Sequence, residues 1–490
     1  MQEIEQLLNV LQAISTRNVQ NNHLRKNKSL ETVFVDGIRL GTFRSDMEAA
    51  SKLYGSDQSD VRYKMLKHRV KKKLYNTLIT VDITSEKLPL RREIEGERLL
   101  LLAKLMLKQT EFSIAFGLCK KVKSIAQEYE LNEMILAAVE IELACLTNQG
   151  GLKSFKNCRE EFLQYSKIVA LEKEAVSLFQ QSMVHLKSTV KIRKAYLEEL
   201  PVLIIRLRTI WDETKTFNCF YYFYRTSMLF YELIGDFNEI IRITEEAEML
   251  VKNKQINAQR FEINLNAYML IYAHLRTKEY TNGLRYANDF YSLFDTNTKN
   301  WFAYMENYFL LAVHAKKYEL ASVLLHRVRT NASFSIITKD AKERWQLYTA
   351  YLYFIEPSYP ILESFNYHKF ITSITEYSKD KQGFNVAILI LQFLYFLKKG
   401  DTEGLLYRIE SLKKYILTHL KDSFSLRSKL FLKLLMLIVT EDYDVTACRL
   451  KGAKHYQKLI ETPTPGDAYA EIEIVPYEHL WELILDEMSA

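Results

Sequence analysis

One plan of apolar and polar positions repeats through most of the chain. A long, nearly continuous apolar stretch is followed by a short polar break, then by a stretch whose apolar residues fall three and four apart. An aromatic landmark marks the break at Phe112, Phe155, Tyr196, Phe237, Tyr280, Tyr318, Tyr359 and Tyr443, with Thr402 holding the same place without a ring. Successive landmarks lie 38 to 43 residues apart, a period of about 41. A period of this size predicts stacked helical hairpins, each unable to bury its apolar faces alone.

The clearest unit begins at Phe220. Phe220–Tyr231 is apolar on nearly every side, Gly235-Asp236-Phe237 breaks it, and Ile240, Ile241, Ile243, Ala247 and Leu250 then share one helix face. Leu265–Leu275 with Lys278-Glu279-Tyr280, and Met305–His314 with Lys316-Lys317-Tyr318, repeat the plan. The turns Gly235-Asp236-Phe237-Asn238-Glu239-Ile240 and Lys317-Tyr318-Glu319-Leu320-Ala321 resemble those of tetratricopeptide repeats. The resemblance spans roughly residues 95–460 and is most specific over 220–330. It implies an α-solenoid, a fold used mainly to hold other proteins. The period exceeds the family's, which is about 34 residues, so longer helices or larger loops are expected.

The units near 155, 359 and 402 are degenerate, and Pro357-Ser358-Tyr359-Pro360 and Asn148–Gly151 read as turns. Thr462–Gly466 stops the array, and Pro476 opens a last helix with Leu480, Trp481, Ile484, Leu485 and Met488 on one side. That acidic helix is expected to seal the end of the solenoid.

Residues 1–90 follow no such period. A short helix is expected over Ser29–Val35, ending at Asp36-Gly37. Ser45-Asp46-Met47-Glu48 has the form of a capping box opening a helix to Tyr54. After a turn at Gly55–Ser59, a longer helix runs from Asp60 to about Leu78 with Tyr63, Leu66, Val70, Leu74 and Leu78 as its apolar stripe. Alternation from Ile79 to Ile83 predicts a short strand.

The long helix carries the densest chemistry in the chain, seven fixed positive charges at Arg62, Lys64, Lys67, Arg69, Lys71, Lys72 and Lys73. A short helix, a turn and a basic amphipathic helix form an order suited to phosphate contacts and a major groove. Glu48-Ala49-Ala50, Leu53-Tyr54-Gly55, Arg62, Leu66, Arg69-Val70 and Leu74 resemble the helix-turn-helix of bacterial transcriptional activators that carry helical repeats. In that family the second helix reads DNA and a β-hairpin follows, for which Ile79–Ile83 supplies one strand. The alternative is a solvated charged face on an N-terminal cap.

Composition agrees with long helices. Only 14 Gly and 7 Pro occur in 490 residues, too few for a β-sandwich or barrel, and 48% hydrophobic residues suffice for a core. Charge is uneven, with +5 over residues 1–90 and −8 over 461–490. Five scattered cysteines imply neither a disulfide framework nor a zinc site. No secretory signal is read at the N-terminus and Val386–Leu397 is too short to span a bilayer, so a cytoplasmic protein with no membrane partner is expected.

No nucleotide-binding, metalloprotease or nucleophile-elbow motif occurs. The run Phe220–Tyr224 reads as core rather than a stacking platform. His314 and His326 fall in adjacent helices without a carboxylate at ligand spacing. No catalytic, cofactor or metal residue is therefore assigned. The expected architecture is all-α, with a basic helical module over 1–90, about nine TPR-like hairpins over 91–460 and an acidic capping segment over 461–490. The expected role is a non-enzymatic scaffold for a protein partner. The alternative is a DNA- or RNA-binding regulator using the basic helix 60–78, with the solenoid as sensor or oligomerisation arm.

Overall fold

The computed structural model describes residues 1–14, 29–81, 83, 88–149, 151–188, 192, 195–374, 384–419, 426–462 and 473–489. Among these, 22 α-helices and three short 3-10 turns occur and no strand. The chain forms two compact units, Met1–Ala170 and Leu171–Ala490.

The first unit begins with four helices, α1 (Gln2–Ile14), α2 (Leu30–Arg39), α3 (Asp46–Tyr54) and α4 (Val61–Thr80). Ile4, Leu8 and Leu11 of α1, Phe34 and Ile38 of α2, Ala49 and Ala50 of α3, and Tyr63, Leu66, Val70 and Leu74 of α4 make one buried core. The expected capping box is formed in its first half, and Glu48 reaches one residue further back than the box requires. Ser45 Oγ accepts from Glu48 N at 3.2 Å, and Glu48 Oε2 accepts from Arg44 N at 2.9 Å. Gly55 ends α3 in the left-handed conformation with φ 62°.

Two expectations in this module are corrected. α2 does not stop at Asp36-Gly37 but runs through to Arg39. Gly37 serves close packing instead, since a Cβ there would lie 2.1 Å from Phe43 Cε2. The strand expected at Ile79–Ile83 is not formed among the described residues. The i→i+4 ladder of α4 takes Ile79 and Thr80, where Thr80 Oγ1 donates to Asn76 O at 3.0 Å, and Val81 follows as an extended cap. Asp82 and Thr84 lie outside the described residues.

The unit continues with α5 (Leu88–Lys108), α6 (Phe112–Glu128) and α7 (Asn132–Gln149), which pack on one another in turn. Leu100, Ala103, Ala115, Cys119, Val122, Met134, Ile135 and Val139 fill their core. α8 (Leu152–Leu186) is a single helix of 35 residues that runs on into the second unit. The Phe155 landmark falls inside its first turns rather than between two helices.

In the second unit sequence neighbours pack in pairs: α9 (Leu200–Thr214), α10 (Phe217–Ile234), α11 (Phe237–Lys252), α12 (Ile263–Arg276), α13 (Tyr280–Asp289), α14 (Lys299–His314), α15 (Tyr318–Arg329), α16 (Lys339–Ile355), α17 (Tyr367–Ser373), α18 (Phe384–Lys399), α19 (Thr402–His419), α20 (Leu426–Thr440) and α21 (Val445–Glu461). α22 (Tyr477–Ser489) closes the order. First helices of consecutive pairs also stack, α12 on α14 and α16 on α18, as a helical repeat requires. Residues 463–466, the expected stop, lie outside the described residues.

One local device recurs at the break inside the pairs. Thr110, Gly235, Lys278, Lys316 and Gly400 all have φ between 57° and 80°, each two residues before a landmark. At Gly235 the amide donates to Glu232 O at 3.2 Å and that of Asp236 to Tyr231 O at 2.9 Å. The same double bond forms at Lys278/Glu279, Lys316/Lys317 and Gly400/Asp401. This arrangement satisfies the last carbonyls of one helix and aims the chain back for the next, which begins at the landmark itself. The degenerate reading of the Thr402 unit is thereby corrected. Without an aromatic ring it still forms a full helix from Thr402, because Gly400 supplies the turn.

The aromatic run of α10 is core, as expected. Phe220 and Tyr224 are buried and stacked with centroids 5.4 Å apart, and the Tyr224 hydroxyl donates to Asn266 Oδ1. All five cysteines are buried free thiols.

Candidate interaction surfaces

The basic helix α4 buries Tyr63, Leu66, Val70 and Leu74 and turns its seven cations outward or to its flanks. Five of the seven meet carboxylates of their own module. Arg62 pairs with Asp60 at 2.7 Å, Lys67 with Asp46 at 2.7 Å, and Lys71 with Glu3 at 2.8 Å. Arg69 reaches Glu31 at 3.1 Å, and Lys73 shares that carboxylate. Acids from α1, α2 and α3 thus stand along both flanks of the helix. Burial raises the Asp46 carboxyl, but Lys67 and the Tyr63 hydroxyl, which donates at 2.6 Å, outweigh it and hold the group at about 2.

Between the flanks runs an outward crest on which Lys64, His68 and Lys72 are exposed, interleaved with Val61 and Met65 at 68% and 55% exposure. Lys72 has no carboxylate partner among the described residues. Exposed ion pairs of this kind are weak and screened by solvent, so the flanking cations remain open to exchange.

A second convergence of charge lies in the second unit, around α22. Its apolar side, Tyr477, Leu480, Trp481, Ile484 and Leu485, is buried, as are Ile474 and Val475 just before it. Pro476 stands immediately before the helix, and its carbonyl accepts from Leu480 N at 2.9 Å. Tyr477 stacks on Phe431 of α20 with centroids 4.5 Å apart. Trp481 comes against Gly452 of α21, where a Cβ would lie 3.5 Å from its ring.

The polar contacts of this segment reach much further along the chain. Arg427, at the start of α20 and 2% exposed, donates to Glu473 Oε2 at 2.9 Å and Glu478 Oε2 at 2.5 Å. Its other nitrogens reach Glu473 Oε1 at 2.5 Å, Leu459 O at 2.7 Å and Thr462 O at 2.8 Å. Five donated bonds satisfy the whole guanidinium fork, which makes so buried a cation tolerable. Lys278, the left-handed residue after α12, meets Glu478 Oε1 at 2.6 Å. Toward the other end of α22, Lys398 of α18 pairs with Glu487 at 3.2 Å, and Arg449 of α21 with Glu482 at 3.1 Å.

Burial pushes the Glu478 carboxyl up, but the Arg427 charge and the Lys278 hydrogen bond prevail and hold it at about 2. Two histidines complete the cluster. His314, closing α14, shares a 2.8 Å hydrogen bond with Glu473 O, and the buried Nδ1 of His479 has no hydrogen-bond partner among the described residues. Burial drives both imidazoles down to about 4, and Lys316 adds to the effect at His479.

The expected cap helix therefore exists, with the expected apolar side. It packs on the last pair, α20 and α21, and it and the segment from Glu473 before it are bound in addition to α18, to His314 of α14 and to Lys278 in the turn after α12. The sequence reading identified none of Lys278, Lys398, Arg427 or Arg449. The available signal was Arg427, one of three cations, with Lys429 and Lys433, in the otherwise apolar helix Leu426–Thr440.

His314 turns to Glu473 O, and no group of three or more His, Cys, Asp or Glu suited to a metal ion occurs among the described residues. No described helix is long and apolar enough to cross a membrane. Compared with protein-family models, curated proteins and solved structures, the chain matches none.

Proposed function

We propose that the chain is a non-enzymatic interaction scaffold, a TPR-like solenoid of about nine hairpins that holds a protein partner on its array surface. The observation that carries this reading is the convergence of α14, α18, α20, α21 and the turn after α12 on the last helix and the segment from Glu473 that leads into it. A surface assembled from side chains so far apart in sequence, with an apolar floor and a cationic rim, is built for helix-in-groove recognition. The repeated left-handed turns support the same reading, since they give five of the pairs one common internal turn. The test is isolation of the tagged full-length chain from its native lysate at low stringency. One partner recovered in constant stoichiometry is expected; recovery of none counts against the proposal.

The second reading is a DNA- or RNA-binding regulator acting through Arg62, Lys64, Lys67, Arg69, Lys71, Lys72 and Lys73. The short helix, turn and long helix of α3 and α4 favour it, as does the exposed crest at Lys64, His68 and Lys72. The flanking carboxylates Glu3 and Glu31 stand against it, because phosphates would have to displace them. Anisotropy of labelled duplex and single-stranded nucleic acid at two salt concentrations decides. Salt-sensitive binding lost in Lys64→Glu/Lys72→Glu supports the regulator, and no binding at micromolar protein removes it.

A further inference from the structure

We propose that the surface beneath α22 is a recognition site for acidic amphipathic helices and that α22 is its resident ligand in cis. Three observations lead there. The occupant has the form of a helical ligand, with Leu480, Trp481, Ile484 and Leu485 at i, i+1, i+4 and i+5 buried on one side. Its charged positions are all acidic: α22 carries Glu478, Glu482, Asp486 and Glu487 and no Lys or Arg. The rim facing those acids is basic at every named contact, Lys278 and Arg427 at one end and Lys398 and Arg449 at the other. This charge complementarity commits the site to an acidic helix and excludes a basic one.

The covalent link to the rest of the chain is short in sequence. Ten residues, 463–472, separate α21 and its cap from Glu473. Covalent attachment makes rebinding of α22 intramolecular, so a competing helix at micromolar concentration is excluded while the chain is intact. The site then responds to a partner only when that partner offers a better version of the same helix or when the tether is cut.

The inference rests on the scaffold reading for its last step, that the protein partner brings such a helix. The exchange experiment tests the site without any partner. A specific protease site is placed within 463–472 of the full-length chain, and the purified protein is cut. Fluorescein-labelled peptide of residues 473–489 is then added and its anisotropy followed. The cut protein is expected to take up the peptide, and the uncut protein to refuse it. Arg449→Glu or Lys398→Glu, both at the exposed end of the site, should weaken uptake about tenfold each.

Two designed peptides with the same apolar spacing, one with Glu and one with Lys at the outer positions, complete the test. Displacement by the Glu peptide alone is expected. Equal displacement by both overturns recognition by charge. A cut chain that never exchanges its segment, or that loses its helical circular dichroism on cutting, overturns the proposal, because α22 would then be an inseparable part of the fold. Failure to isolate a partner from lysate would remove the scaffold reading and leave the exchange result standing.

Discussion

Lys278 and Glu478 stand 200 positions apart in sequence, and their Nζ and Oε1 atoms meet at 2.6 Å. The pair joins the left-handed turn after α12 to the first turn of the last helix. The same Glu478 carboxylate takes its second oxygen to Arg427 at 2.5 Å, so one acid links two distant cations. Local helix pairing cannot produce such a contact; it requires the helical pairs between α12 and α20 to hold a fixed arrangement.

The Arg427 network makes the first prediction. Replacing Arg427 by Leu leaves Glu473 and Glu478 facing each other beneath the helix without their shared cation. Breaking a buried pair in this way costs about 3–5 kcal/mol. Lys278→Met, which removes a half-exposed partner, should cost about 1 kcal/mol or less. Urea titration of both variants checks the order, and equal losses would contradict it.

The two histidines set a pH dependence. His314 and His479 are held at about 4 in the fold, below the ordinary 6.5. As pH falls the unfolded chain takes up protons first, so their contribution is complete above pH 6.5 and is lost between 6.5 and 4. The charges around them are Lys278, Lys316, Arg427 and Glu478, with Glu473 O against His314 and the Tyr280 ring at 5.6 Å. Glu478 stays ionised through this window because it is held at about 2. For His314, whose side chain is partly buried, the loss is at most of the order of 3 kcal/mol. His314→Asn should flatten the stability profile over that range, measured by denaturation at each half pH unit.

Thr110 is a β-branched residue at φ 63°, in the turn position that Gly235 and Gly400 fill elsewhere. It is exposed, so its side chain contributes little packing. Thr110→Gly relieves the left-handed strain and should stabilise the chain by about 0.5–1 kcal/mol, net of the greater freedom of the unfolded glycine. A lowered denaturation midpoint would contradict the turn assignment.

Gly37 is the opposite case. Its φ is ordinary, and the constraint is Phe43, whose ring atoms lie 2.1 and 2.2 Å from where a Cβ would stand. Gly37→Ala should destabilise the α1–α4 core by about 1–3 kcal/mol through displacement of that ring. Tyr63 fluorescence or near-ultraviolet dichroism reports the change, since Tyr63 packs on Phe34, itself 6.2 Å from Phe43.

The sequence revealed the all-helical class and the places where the second helices begin. Phe112, Phe237, Tyr280, Tyr318 and Thr402 each open a helix. The landmark works because a left-handed residue two positions earlier ends the previous helix. Gly235 and Gly400 announce that conformation, whereas Thr110, Lys278 and Lys316 do not. The length of α8 was not legible: a break does precede it, between Gln149 and Leu152, but the period gave no sign of a helix of 35 residues. Nor was the reach of α22, because helical periodicity reports contacts within a pair and is silent about Lys278 or Lys398. The basic run of α4 was legible as a helix, but its partners were not: Glu3 and Glu31, distant in sequence, stand beside Lys71, Arg69 and Lys73.

The most direct test of the account is amide hydrogen exchange on the intact full-length chain, followed residue by residue through α20 and α22. If α22 is seated on the array as a releasable helix, its amides should be protected far beyond those of a free peptide but should exchange ahead of those of α20, through release of the helix alone. Exchange of α22 at the rate of a free peptide, with α20 still protected, would contradict the account.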